Sequence, residues 1–305
     1  MPFGLCEALA TFFRVMAYVL GDHIGKICLC YLDDVIIFGR TQKELLDRVD
    51  QILKRLHEFG LKVKPSKCVL FRTEITFLGQ LVSAAGVQPL PDKVSAISDW
   101  PTPRCLRDVR AFYGSIGYYR RFIEGFATIA EPLTRIMRKG TKFLWTDEAD
   151  EALARLKTAM LEIPTLAFSC PDRPCILDTD SSDVAYGSVL SQLVDGQERR
   201  IAFFSRVMSP TQQNYCSTRR ELLAVIASLQ HFRHYLLNVP VILRTDHHSL
   251  KWLRTFKKPE GILARWIETL SEITIQHRPG RVHSNADGLS RQHCKQCWGK
   301  IPKEP

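Results

Sequence analysis

The stretch Ile176-Leu177-Asp178-Thr179-Asp180-Ser181-Ser182 decides how the second half of the chain is read. Apolar residues lead into it. Beyond it, Gly187 to Leu193 followed by Asp195-Gly196 reads as a second strand closing in a hairpin turn. Side chains alternate along a strand, so Ile176, Asp178 and Asp180 share one face. Two carboxylates on one face of a central strand are costly without a cation or hydrogen-bond donors nearby. The plainer reading is a strand that ends in a polar turn.

Working outward, residues 166–291 run strand, strand, strand, helix, strand, helix, helix, strand, helix. The strands are expected at Cys175–Asp180, Gly187–Leu193, Arg200–Ser205, Val241–Thr245 and Ile273–Arg278. Thr218 opens a long helix with Leu222, Val225, Leu229, Phe232 and Leu236 as its apolar stripe. Short helices follow near 249–256 and 262–270, and a last one starts at Ala286. Four carboxylates fall at telling places. Asp180 ends the first strand, Glu221 lies in the first turn of the long helix, Asp246 ends the fourth strand, and Asp287 lies in the first turn of the last helix.

Strand ends and helix starts at one sheet edge can gather such groups around a metal. Carboxylate oxygens suit Mg2+ or Mn2+ far better than zinc. Each residue also has a plain explanation. Glu221, three residues after Thr218, closes a capping box, and Asp246 caps a helix near Ser249. Asp287 answers a helix dipole. Taken jointly, the strand, helix, strand, helix order favours the metal site.

Residues 1–85 read as a mixed α/β piece. Cys6 to Leu20 has helical spacing. Lys26 to Leu32 and Val35 to Gly39 form two strands around the acidic corner Asp33-Asp34. Asn-Gly or Asp-Gly fits a tight hairpin better than Asp-Asp. A poorer turn pair that puts two carboxylates at a hairpin tip points to a metal role, beside the plain reading of a polar turn. Thr41 and Glu44 make a capping box for a helix that Gly60 stops. Leu61–Phe71 and Ile75–Val82 are expected as strands, the second containing Phe77-Leu78-Gly79.

Pro89, Pro91, Pro101 and Pro103 mark a boundary over 86–103. The segment from there to about 165 is expected to be helical, over Leu106–Phe122, Ala127–Arg138 and Asp147–Glu162. Its run Tyr118-Tyr119-Arg120-Arg121-Phe122 interleaves aromatics with Arg, as phosphate contact and base stacking require. A helix with an aromatic core face and a solvated Arg face explains the same spacing.

The formal net charge of +10 suits a polyanionic partner, nucleic acid before membrane. No signal peptide and no apolar run long enough to span a membrane is visible, so the chain reads as intracellular with its ten Cys reduced. Cys294 and Cys297, with His283 and His293 nearby, form a weak zinc pattern. The oligomeric state is left open.

Met1-Pro2-Phe3-Gly4-Leu5, Tyr31-Leu32-Asp33-Asp34, Phe77-Leu78-Gly79 and Tyr118 to Phe122 appear in a fixed order. They are followed by Asp180-Ser181-Ser182-Asp183, Glu221-Leu222-Leu223, Phe232 to Tyr235, Thr245-Asp246-His247 and Asn285 to Arg291. In this order the chain resembles the reverse transcriptase–ribonuclease H segment of a gypsy-class LTR retrotransposon Pol polyprotein, from Met1 to Arg291. The resemblance implies an α/β (α+β) chain in four parts. These are a partial palm over 1–85, a helical thumb and connection over 86–165, a ribonuclease H-like mixed-sheet domain over 166–291, and a tail over 292–305.

It implies that Asp33 and Asp34 are polymerase metal ligands beside Tyr31, and that Phe77, Leu78 and Gly79 grip the primer end. It also implies that Asp180, Glu221, Asp246 and Asp287 bind the ribonuclease H metals, with His283 near the leaving group. Arg219 and Arg220, with Lys251, Arg254, Lys257 and Lys258, are candidates for tracking phosphates of an RNA–DNA hybrid.

On this resemblance the fingers and the strand bearing a third polymerase carboxylate lie upstream of Met1, so the polymerase half is expected to be incomplete and inactive. Glu7-Ala8-Leu9 and Phe12-Phe13 also depart from the family's pattern. Three readings follow: a hybrid-specific ribonuclease, a non-catalytic nucleic-acid-binding relic of a mobile element, and a polymerase whose front end a longer reading frame would restore.

Overall fold

The computed structural model of the protein describes residues 7–245 and the backbone of 274–277. The chain divides into two compact units, residues 1–78 with 82–84, and residues 79–81 with everything from 85 onward.

The first unit begins with α1 (Ala8–Leu20), the antiparallel hairpin β1 (Cys28–Tyr31) and β2 (Asp34–Ile37), and α2 (Gln42–Glu58). Met16, Val19 and Leu20 of α1 pack with Cys28, Ile52 and Leu56 into a small core. Arg55 Nε donates to the Val19 carbonyl at 2.9 Å, satisfying one orphan acceptor at the end of α1. Thr41 caps α2 as expected, its hydroxyl accepting from the Glu44 amide at 3.2 Å. Glu44 reaches back to the Arg40 amide rather than to Thr41, so the box is displaced by one residue. Gly60 follows α2 with φ +69, the left-handed conformation that ends many helices.

Two strand expectations fail here. Leu61–Phe71 forms no strand: Pro65 lacks an amide donor and opens a short 3-10 turn over Pro65–Lys67, and Phe71 has φ +54. Ile75–Val82 is two strands, β3 (Glu74–Phe77) and β4 (Gln80–Ser83). Leu78 and Gly79 turn the chain between them with φ +49 and +71, as a two-residue primed turn requires.

The 86–103 stretch is structured: it holds β5 (Gly86–Pro89) and α3 (Pro91–Ser98). Pro91 opens α3 instead of breaking it, because the first turn of a helix needs no amide donor. The helices α4 (Leu106–Gly117), α5 (Phe126–Ile129), α6 (Glu131–Ile136) and α7 (Asp147–Leu161) follow. The expected helix over Leu106–Phe122 stops at Gly117, and Arg120–Phe122 is a 3-10 turn. The expected helix over Ala127–Arg138 divides at Ala130, with Pro132 in the first turn of α6. Phe112, Ile116, Phe122, Phe126, Leu133, Leu156 and Met160 fill the core between these helices.

Next come β6 (Cys175–Ser181), β7 (Ala185–Val194), β8 (Gln197–Val207), α8 (Pro210–Gln213), α9 (Ser217–His231), α10 (Arg233–Leu236), β9 (Val241–Thr245) and β10 (Thr274–His277). The five strands form one mixed sheet in the order β10-β9-β6-β7-β8. β6, β7 and β8 are antiparallel neighbours, while β9 runs parallel to both β6 and β10. Asp195 and Gly196, with φ +53 and +78, make the expected hairpin turn.

One face of the sheet is covered by α9, with Cys175, Leu177, Leu190, Leu222, Val225 and Leu229 between them. The other is covered by the helical segment, whose core takes in Val189 and Phe203 of the sheet. Such two-sided burial explains the near-continuous apolar run at Cys175–Leu177. Among the described residues no helix is long and apolar enough to cross a membrane.

Val87 and Leu166 join the helical segment at both its ends, exchanging two backbone hydrogen bonds at 2.8 and 3.0 Å. Gly86 has φ +139, and a Cβ at this position would collide with the Leu166 carbonyl. Gly86→Ala should therefore lower the stability of the second unit by ~1–3 kcal/mol. A denaturation midpoint equal to that of the wild type would show that this closure is not needed.

Candidate active site

Alternation divides β6 as the sequence requires. Cys175 and Leu177 face the α9 core, while Ile176, Asp178 and Asp180 turn to the opposite face. Ile176 is fully buried, Asp178 half-buried, and Asp180 exposed at the end of the strand. The two carboxylates of this face have different fates. Asp178 stands in register with Arg244 of β9, whose guanidinium lies 3.7 Å from it and 2.8 Å from Glu198 of β8. Ser191 of β7 donates to the other Glu198 oxygen at 2.7 Å. The cation that Asp178 needs is therefore a neighbouring side chain, a partner the sequence reading missed although Arg244 stood in an expected strand. Asp180 is exposed near the end of β6.

Glu221 lies in α9, but not in its first turn. The helix opens at Ser217 after Cys216, and Thr218 is inside it. The capping-box explanation for Glu221 therefore falls: Cys216 makes no side-chain cap, and the Glu221 side chain is turned into the sheet. Glu221 is only 7% exposed, and Ser181 Oγ donates to its Oε1 at 2.8 Å. Ser181 was not singled out from the sequence. As the residue after Asp180, it bonds Glu221 from the α9 face and so ties α9 to the end of β6.

β9 leaves the sheet at Thr245, beside the same end of β6. Asp246, Asp287 and His283 lie outside the described residues, as do Lys251, Arg254, Lys257, Lys258 and the Cys294–Cys297 pair. Arg220 is ion-paired with Asp183 in the turn after β6. Arg219 beside it is half-buried.

In the first unit, the hairpin forms but its corner is shifted by one residue. Tyr31 pairs with Asp34, so the turn residues are Leu32 and Asp33, and Asp34 begins β2. Leu32 takes φ +55, a conformation that costs a residue with a Cβ about 1–2 kcal/mol. Asp33 and Asp34 are both exposed at this tip, and Tyr31 is 51% exposed beside them. Burial raises the Cys30 thiol pKa most, and the charges of Asp33 and Asp34 raise it further. Among the described residues no three His, Cys, Asp or Glu side chains are grouped closely enough to hold a metal.

Comparison with known proteins places both halves. Residues 1–82 match the reverse transcriptase (RNA-dependent DNA polymerase) family, and residues 170–273 match the RNase H-like domain found in reverse transcriptase. The chain is 39% identical over 295 residues to the retrovirus-related Pol polyprotein from transposon 297 of Drosophila melanogaster. It is 35% identical over 305 residues to that of transposon opus, from the same fly. It is 32% identical over 298 residues to the transposon Tf2-3 polyprotein of Schizosaccharomyces pombe. Each match covers 95% of this chain but only 27%, 30% and 22% of the respective relative.

Among solved structures, the fold is similar to foamy viral protease-reverse transcriptase in complex with RNA/DNA hybrid. That likeness has a TM-score of 0.79 and 21% identity, and covers 100% of this chain and 42% of the other. A complex of the foamy viral enzyme with double-stranded DNA gives a TM-score of 0.77 at 22% identity, over 88% of this chain and 49% of that one.

Replacing Ser181 by Ala removes a hydrogen bond to a buried carboxylate and should cost ~1.5–3 kcal/mol of stability. Urea unfolding of the variant measures this; an unchanged midpoint would mean that Glu221 is held by its other neighbours. The chain thus carries a reverse transcriptase match followed by a ribonuclease H-like match, and its relatives are retrotransposon Pol polyproteins of the gypsy, LTR class.

Proposed function

We propose that the ribonuclease H-like domain hydrolyses the RNA strand of RNA–DNA hybrids, with Asp180, Glu221, Asp246 and Asp287 holding two divalent cations, Mg2+ or Mn2+. The observation that supports this most is Glu221, a carboxylate on the buried side of α9 that Ser181 bonds at the end of the strand carrying Asp180. A buried carboxylate costs stability unless it is bonded or meets a cation. The donors fit such ions, being hard carboxylate oxygens.

When bound, a pair of divalent cations supplies an activated water and neutralises charge on a departing 3′ oxygen. The chain's own residues do the rest. Ser181 fixes the orientation of the Glu221 carboxylate, and the packing of α9 against β6 keeps that oxygen away from bulk water. Asp180 stands exposed where a phosphate of the substrate can approach. Arg219, half-buried two residues before Glu221, is offered as a contact to the backbone, whereas Arg220 is already occupied by Asp183.

In the reverse transcriptase domain, Asp33 and Asp34 are assigned as metal ligands of RNA-directed DNA polymerisation. Tyr31 would lie against nucleic acid, and the Phe77-Leu78-Gly79 turn at the primer end. The helices between the two domains are read as thumb and connection. An intracellular setting is part of the same proposal, the relatives being retrotransposon polyproteins.

Asp180→Asn should reduce Mg2+-dependent cleavage of an end-labelled hybrid by about 100-fold or more, while binding in EDTA persists. Wild-type rates in the variant would remove Asp180 from the site. Binding by the folded wild-type chain without cleavage in either Mg2+ or Mn2+ would favour the non-catalytic reading instead.

A further inference from the structure

The outer edge of the five-stranded sheet carries two arginines and two histidines that the proposed nuclease chemistry leaves unused. β8 is an edge strand, and its register with β7 and β6 puts Arg206 in one row with Tyr186 and Ser181. Arg206 stands two residues after Phe204, on the face that α9 covers. The Phe204 ring stacks on His231, the last residue of α9, with centroids 4.1 Å apart and planes at 17°. His234 stands three residues further on, its ring 4.1 Å from that of Tyr235.

Arg120 reaches the same edge from the helical segment. Its guanidinium donates to the Ser205 carbonyl at 2.6 Å and lies 5.6 Å from the Phe126 ring centre. Arg120, Arg206, His231 and His234 are thus gathered from three separate stretches of the chain.

Arg120 and Arg206 are like charges at this edge, and they disfavour the protonated form of His231. Loss of hydration does most to hold His231 below the ordinary histidine range, and Arg120, His234 and Arg206 add to it in that order. Among the described residues, no carboxylate forms an ion pair with any of the four. Glu124, the acid nearest Arg120 in sequence, faces Arg200 instead, at 4.0 Å. Two guanidinium groups without an acid between them, beside a histidine that can take up a proton, are relieved by an external polyanion.

The spacing suits an extended one. Two strand widths separate the Cα atoms of Arg206 and Ser181, roughly 10 Å. Ten helical residues separate His231 from Glu221, about 15 Å along α9. One duplex can lie across both places.

We propose that this edge cluster is a second anchoring point for the sugar-phosphate backbone of a nucleic-acid duplex, built jointly by the helical segment and the ribonuclease H-like sheet. The choice of an RNA–DNA hybrid as the duplex rests on the function proposed above; the cluster itself does not.

The test uses the full chain with Asp180→Asn, in EDTA, so that binding is read without turnover. The probe is an RNA–DNA hybrid titrated across a range of salt. Arg206→Gln should reduce the slope of log affinity against log salt by about 0.9, the release expected for one phosphate contact. Arg120→Gln should do the same, and the double variant about 1.8. Lys54→Gln, an exposed charge on α2 already paired with Asp50, is the control and should leave the slope unchanged.

Arg120 also binds the β8 edge, so Arg206→Gln decides the matter if Arg120→Gln unfolds. As a second reading, the imidazole signal of His231 should titrate at higher pH when the hybrid is bound, because phosphate favours the protonated ring. An Arg206→Gln slope equal to that of the control, or a His231 titration unmoved by the hybrid, overturns the proposal. The nuclease reading fails separately, in the cleavage assay.

Discussion

The position of β6, third of five strands and buried from both faces, is what the second unit depends on. A strand in that place must be apolar on both sides until it leaves the core. Cys175, Ile176 and Leu177 meet this demand, the two larger side chains each worth roughly 1.5–3 kcal/mol when withdrawn from water. Asp178 is admitted next only because Arg244 arrives beside it on β9. A slip of one residue would exchange the two faces and leave an acid against α9. The place of Asp180 and Ser181 is therefore set by the packing that precedes them, and Ser181 passes that definition on to Glu221.

The first unit holds its acids differently. There is little core beneath the β1–β2 hairpin, and the tip is made by a residue poorly suited to it. Asp195-Gly196, at the other hairpin, is the pair a tight turn favours. Leu32 at the first tip has no such excuse, and its positive φ is a local cost maintained by the surrounding pairing. Leu78 carries the same cost in the Phe77-Leu78-Gly79 turn. Both strained leucines lie within motifs to which nucleic-acid chemistry is assigned.

Much of this was legible in the sequence, for identifiable reasons. The β6–β7–β8 meander and α9 follow from alternation, from Asp-Gly, and from a 3.6-residue stripe. Their local preferences and their tertiary surroundings agree. Proline misled in both directions. Pro65 disrupted an expected strand, whereas Pro91 and Pro132 start helices where breaks or continuity were expected, since the effect of proline depends on whether its missing amide had a partner. The two-residue turns at Leu32-Asp33 and Leu78-Gly79 were hidden because leucine gives no sign of a left-handed backbone. Asp180 and Glu221 drew notice by their positions in the sequence, but Ser181 and Arg244 did not. Each matters through a residue distant in sequence, and one chain read in order carries no record of that pairing.

Ser205 has a consequence beyond the geometry of its strand. Its carbonyl is taken by Arg120 and its hydroxyl accepts the Ala127 amide at 2.8 Å, so the helical segment fastens along the open margin of β8. It also roofs Phe203 and Val189 on the face away from α9. A ribonuclease H-like domain excised at residue 166 would lose that roof and that fastening together. It would present a greasy surface next to a bare strand margin, the combination that drives chains to stack on one another. The ribonuclease H-like sheet is accordingly completed by the helices in front of it.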